Sequence, residues 1–96
     1  MKSADFAKDE PQLTGHAARR ATGRRIPVAG IEAAVRFGRR WRENKAWYYR
    51  LDRRSLKRAR RRGEDLSRHE GITVVMGDEG RVITVWRNRT GRKVYR

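Results

Sequence analysis

Apolar residues in this chain come in short clusters, and the spacing inside each cluster names an element. In "TGHAARRATGRR", residues 14–25, Ala17, Ala18 and Ala21 fall on one side at helical spacing, and Thr14 stands where an N-cap belongs. A helix is predicted over 15–23. "IP" at 26–27 stops it, because the residue before a proline is pushed out of the helical region. Pro27 then suits the first turn of a second helix, in which Val28, Ile31 and Val35 recur with Ala34 alongside and Gly38 closes the run.

The period changes at "RRWRENKAWYYRLD", residues 39–52. Trp41 and the run 47–51 flank the polar "ENK", which predicts a β-hairpin. Asp52 is placed to cap a basic helix, "RRSLKRARRRG", that has only Leu56 and Ala59 to bury and ends at Gly63. A polar loop, 64–70, leads to "ITVVMGDEGRVITVWRNR", where the β-rich runs 72–76 and 81–87 flank "GDEG" as a second hairpin. Both runs are nearly continuous in apolar residues and read as central strands covered by helices on at least one face. The order α-α-β-β-α-β-β defines an α+β fold: N-terminal helices packed on a mainly antiparallel sheet, with the basic helix inserted. Residues 1–13 carry a proline and little periodicity and read as a flexible N-terminal arm, leaving 14–96 as a single domain.

Composition narrows the picture. Leu, Ile, Val and Phe number only 17 of 96 and the net charge is +15, close to the signature of disorder, but three Trp and three Tyr restore buriable area. Without cysteine there is no disulfide or thiolate metal site, and two histidines 53 positions apart make a poor zinc site, so neither metal nor cofactor is expected. No apolar run approaches the ~20 residues of a membrane span, and no signal peptide is visible. The expected place of action is the cytoplasm.

Charge is uneven: residues 36–62 carry +11, whereas 63–80 carry −4. Such a field draws in polyanions. Arginine outnumbers lysine 21 to 5, which suits bidentate phosphate contacts and stacking on bases. A nucleic acid or an acidic protein is the expected partner.

Within that field His16, Arg20 and Arg24 stand at i, i+4 and i+8, inside a sector of roughly 80° on a helix. A neutral imidazole can take a proton from a 2′-hydroxyl while guanidinium groups hold the adjacent phosphate, as metal-independent RNA cleavage requires. On spacing alone, the plainer reading is a histidine hydrogen-bonded near a helix start. In "WYY", Trp47 and Tyr49 share one face of a strand and read as core. Tyr48 points the other way, expected among Arg40, Arg42 and Arg50, a mixture that can stack on unpaired bases while holding their backbone. Arg54, Arg58 and Arg61 of the basic helix extend the candidate nucleic-acid surface. His69 reads as an ordinary loop residue.

The pattern "HAARRATGRRIPVAGIEAAV", as H-A-x-x-R-x-x-x-R-x-I before a short apolar helix, resembles the opening of a bacterial family of small uncharacterised domains. The closing "DEGRVITVWRNR" resembles that family's final hairpin, so the likeness spans about residues 14–90. The family is placed near the RelE-like ribonuclease toxins, in the barnase, EndoU, colicin and RelE fold group. The resemblance implies a small metal-independent ribonuclease that cleaves RNA by 2′-hydroxyl attack, held in check by an acidic antitoxin or immunity protein. Carried over by position, it picks out His16, Arg20 and Arg24, with Thr84 and Trp86 in the last strand. Trp86 stands where the family tends to have tyrosine, so Tyr48 or Tyr49 would have to supply a phenolic proton, and Arg25 stands where the family often has glycine. Arg87 is a phosphate-ligand candidate by position and charge. Read without the resemblance, Thr84 is an ordinary strand residue and Trp86 is core. Two alternatives stand beside the ribonuclease: a non-catalytic nucleic-acid-binding module, and a basic domain for an acidic protein partner. The pattern leaves the oligomeric state open.

Overall fold

A computed structural model of the protein describes residues 12–88. The chain runs α1 (Gly15–Gly23), α2 (Val28–Phe37), β1 (Arg39–Glu43), β2 (Ala46–Arg50), α3 (Arg53–Arg61), a 3₁₀ turn (Ser67–His69), β3 (Ile72–Met76) and β4 (Val82–Arg87). The four strands form one antiparallel sheet in the order β1-β2-β3-β4. This is the α+β architecture expected, with α3 inserted between the two hairpins.

Local chemistry sets the boundaries. The Thr14 side chain accepts from the Ala17 N–H at 3.1 Å and starts α1. Asp52 and Ser55 form a reciprocal capping box at the start of α3: each side chain accepts from the other's backbone N–H, both at 2.9 Å. The β1–β2 hairpin turns through Asn44 and Lys45, both at positive φ (52° and 62°), as a two-residue turn matched to the twist of the strands requires.

One core lies between the helices and one face of the sheet. Ala17 and Ala21 of α1, Ile31, Ala34 and Val35 of α2, and Ile26 meet Tyr49, Leu51, Ile72, Val74, Met76, Val82 and Val85. Gly38, at the α2–β1 junction, allows a very close approach. A Cβ there would lie 2.5 Å from the Ala34 carbonyl oxygen and 2.8 Å from that of Arg50.

The structure departs from the sequence reading at several points. Ala18 and Val28 are exposed, at the mouth of a shallow groove beside Leu13 and Ile26. α1 is therefore narrower in its buried face than its alanine count suggests. β3 is a central strand buried along its length, but β4 is the last strand of the sheet. Among the described residues, its outer side is paired near Val82, where the Val82 N–H donates to the Gln12 carbonyl and the Val82 carbonyl accepts from the Thr14 N–H, with Leu13 in a parallel bridge. Gln12 and Leu13, assigned from sequence to the flexible arm, are held against the sheet; residues 1–11 and 89–96 lie outside those described.

Candidate nucleic-acid interface

Strand register sorts the basic and aromatic side chains onto two faces. On the face away from the helices, Trp41, Tyr48, Val75 and Thr84 stand opposite one another in one row across all four strands. The next row is Arg39, Arg50, Thr73 and Trp86. None of these eight side chains belongs to the helix-covered core, and the face is open around the half-buried Trp41, Tyr48 and Trp86 while Thr73 and Val75 at its centre are buried.

The rows are tied together. Trp41 and Tyr48 are stacked, ring centroids 5.2 Å apart and planes at 16°. The Trp41 indole N–H donates to Glu43 at 3.0 Å, which fixes the ring's orientation. The Arg39 guanidinium also lies over the Trp41 ring, 4.7 Å from its centroid, while its Nε donates to Asp52 at 3.1 Å. Arg50 donates to the buried Thr73 hydroxyl at 2.9 Å. Burial alone would raise the Asp52 carboxyl, but hydrogen bonds from the Ser55 backbone and side chain and from Arg39 outweigh it and hold the group below its ordinary value.

Tyr48 thus stands on the open face, with Arg50 as its basic neighbour on the same strand. Arg40 and Arg42, expected beside it, are on the opposite face. Alternation along β1 puts them with Trp47, and their guanidiniums lie 4.8 and 5.4 Å from its ring centroid. Arg42 also pairs with Asp78 at 3.0 Å. Tyr49 is buried in the core and Trp47 packs against its edge, as expected. Trp86, read as core from sequence, is half-buried on the open face beside Thr73. Its β-strand neighbour Val85 is the one that enters the core.

His16 and Arg20 are brought together on α1, with the Arg20 Nε donating to His16 Nε2 at 3.4 Å on an exposed surface. Arg24 is the C-cap residue of α1 and is exposed. These residues belong to a helix whose buried side joins the core, whereas Tyr48 and Thr84 belong to the open face. The candidate catalytic residues His16, Arg20, Tyr48 and Thr84 are therefore divided between two structural layers. Arg87 binds the protein itself: its guanidinium donates to the carbonyls of Arg68 and Glu70, tying the end of β4 to the 3₁₀ turn and its C-cap. His69, in that turn, packs against Gly30 of α2, where a Cβ would come within 3.0 Å of its Nδ1. Burial, with the charges of Arg68 and Arg87, holds its pKa below the ordinary histidine value.

Arg54, Arg58 and Arg61 are exposed along α3 together with Lys57, a residue that the sequence reading did not single out. Trp41 and Arg39 were also missed as site residues. The signal was present: a two-residue turn at Asn44-Lys45 forces Trp41 opposite Tyr48 and Arg39 opposite Arg50.

Among the described residues, no group of three or more His, Asp or Glu is placed to hold a metal ion, and no helix is long and apolar enough to cross a membrane. Comparison with protein-family models, with curated proteins and with solved structures finds no match.

Proposed function

We propose that this protein binds RNA, with an unpaired stretch lying across the open face of the sheet. The supporting observation is the two-row arrangement of Trp41, Tyr48 and Trp86 with Arg39 and Arg50. Bases have π-faces that stack on aromatic rings, and guanidinium groups hold the intervening phosphates, so such a surface takes single strands with little dependence on sequence. The charge of +15 supplies attraction at a distance. Titration of a fluorescent unpaired RNA against wild type and Trp41→Leu tests the reading. Binding that survives the substitution unchanged would remove the sheet from the interface.

A second reading adds cleavage, in which the protein is a metal-independent ribonuclease of the toxin type. The observation that favours it is the pairing of His16 with Arg20, an imidazole beside a guanidinium, on the helix that packs against the strand carrying Thr84. In that reaction His16 takes the 2′-hydroxyl proton and the 2′-oxygen attacks the adjacent phosphorus. The bond to the 5′-oxygen breaks, and that oxygen leaves with a proton from solvent water, because Tyr48 lies on the other face of the sheet from α1 and does not reach the same phosphate. Arg20 and Arg24 offset charge on the phosphate. An acidic antitoxin or immunity protein covering these cations would restrain the activity. Incubation of RNA with wild type and His16→Ala in EDTA decides between binding alone and binding with chemistry: 2′,3′-cyclic ends from wild type only would establish the second reading.

A further inference from the structure

We propose that α3 is a second nucleic-acid site, which holds the backbone of an RNA stem while the open face takes the unpaired stretch beside it. This rests on the RNA-binding reading for the identity of the ligand, but on different residues and a different side of the molecule.

Arg54, Lys57, Arg58 and Arg61 recur at i, i+3, i+4 and i+7, so they form one ridge about 10 Å long, directed away from Ser55 and Ala59 on the buried side. None of the four has an ion pair or hydrogen bond among the described residues. Each is the i+3 or i+4 neighbour of another cation, and like charges at that spacing disfavour a helix. Arg54, in the first turn, also stands where the helix dipole disfavours positive charge, whereas Arg58 and Arg61, in the last turn, stand where it favours it. Solubility alone is served by charges of either sign, so a single-sign ridge that holds its cations together against their mutual repulsion fits a polyanion that relieves it.

The chemistry of the ridge selects the form of that polyanion. α3 has no aromatic residue, so it offers unpaired bases no stacking partner. Neither exposed large apolar residue, Val28 or Ile83, lies on it, so it lacks the apolar anchor around which protein interfaces are built. A duplex turns its bases inward and presents phosphates, which four convergent cations match. Leu56 packs against the core, so α3 sits on the helix side of the sheet, opposite Trp41 and Tyr48. A single short strand cannot lie on both surfaces at once. A stem continuing into an unpaired tail can, because the described part of the molecule measures only 31 × 28 × 25 Å.

The test compares three labelled RNAs by anisotropy: a blunt duplex of about 16 base pairs, an unpaired strand of about eight nucleotides, and the two joined. The proteins are wild type, the combined Arg54→Gln, Lys57→Gln, Arg58→Gln, Arg61→Gln variant with its fold checked by circular dichroism, and Trp41→Leu. The ridge variant should lose at least about tenfold in affinity for the duplex, and its slope of log affinity against log salt should shrink by roughly 3–4. It should keep most of its affinity for the unpaired strand, and Trp41→Leu should show the reverse pattern. The joined RNA should bind wild type more tightly than either part. Equal loss on all three RNAs, or an unaffected duplex, overturns the ridge, and a joined RNA no better than its parts overturns simultaneous use. A DNA duplex bound as tightly as RNA through the same four residues overturns the assignment to RNA. If wild type fails to bind the unpaired strand but still binds the duplex through the ridge, the sheet reading fails and the ridge stands.

Discussion

Trp41 and Tyr48 face each other across the β1–β2 hairpin with rings 5.2 Å apart and nearly parallel, on the side of the sheet that no helix-core residue reaches. A stacked aromatic pair of this kind is ordinarily a core feature. Here it is oriented by Glu43, covered on one flank by Arg39, and set one row from Arg50 and Trp86, which makes it the centre of the proposed interface.

Replacing either ring should therefore cost binding more than folding. Tyr48→Leu or Trp41→Leu is expected to weaken unpaired RNA by about 1–3 kcal/mol, and the stacked pair itself adds about 0.5–1.5 kcal/mol to stability. Because the rings touch each other, the double variant should lose less than the sum of the two. Anisotropy titration and urea unfolding of the same three variants measure both quantities.

His16 is exposed and, among the described residues, hydrogen-bonded only to Arg20, so His16→Ala should leave the urea midpoint within about 0.5 kcal/mol of wild type. RNA affinity should also hold. If the protein cleaves RNA, turnover should fall by about 10²–10⁴-fold at unchanged binding. A variant that unfolds or stops binding would mean that His16 has a structural role instead.

Acidification should weaken the fold through His69. Its pKa is lowered in the folded state by burial and by Arg68 and Arg87, so the unfolded chain takes up a proton that the folded one resists. Stability from this residue is complete above its unfolded value of about 6.5 and is lost as pH falls through the folded pKa. Urea midpoints at pH 7.5 and pH 5 should differ for wild type and differ less for His69→Gln. Equal pH dependence in the two proteins would remove His69 as the cause.

Asp52 acts at lower pH and with the same sign. Its carboxyl is held below the ordinary value despite burial, by Ser55 and Arg39, so the stability it gives is present above about pH 4 and lost in stronger acid. Asp52→Ala removes an N-cap and should cost about 0.5–2 kcal/mol at neutral pH. Loss of α3 ellipticity should accompany the lower midpoint.

Gly38→Ala should destabilise by about 1–3 kcal/mol although its φ is ordinary for any residue, because the new methyl meets two backbone carbonyl oxygens that have no rotamer to change. Thermal unfolding would show this as a lower midpoint. An unchanged midpoint would mean that the α2–β1 junction can open at little cost.

Sequence alone determined most of the local structure. Thr14 and Asp52 as caps, Gly38 as a stop, and the two hairpins follow from turn and capping chemistry acting within a few residues. The inward direction of Tyr49 follows from alternation, once the strand is accepted. Packing decided what local pattern could not. The apolar runs of β3 and β4 read alike, but only β3 gained a strand on each side along its length, because sheet order depends on long-range pairing. Arg40 and Arg50 look equivalent as charges, yet register sends Arg40 to Trp47 and Arg50 to the outer face, where it donates to Thr73. Arg87 has the charge of a phosphate ligand, but the fold presents it with carbonyl oxygens 17 and 19 positions earlier in the chain. A sequence records which side chains can meet an anion; the tertiary structure decides which of them already have another partner, because burial and pairing across the sheet are settled between residues far apart in the chain.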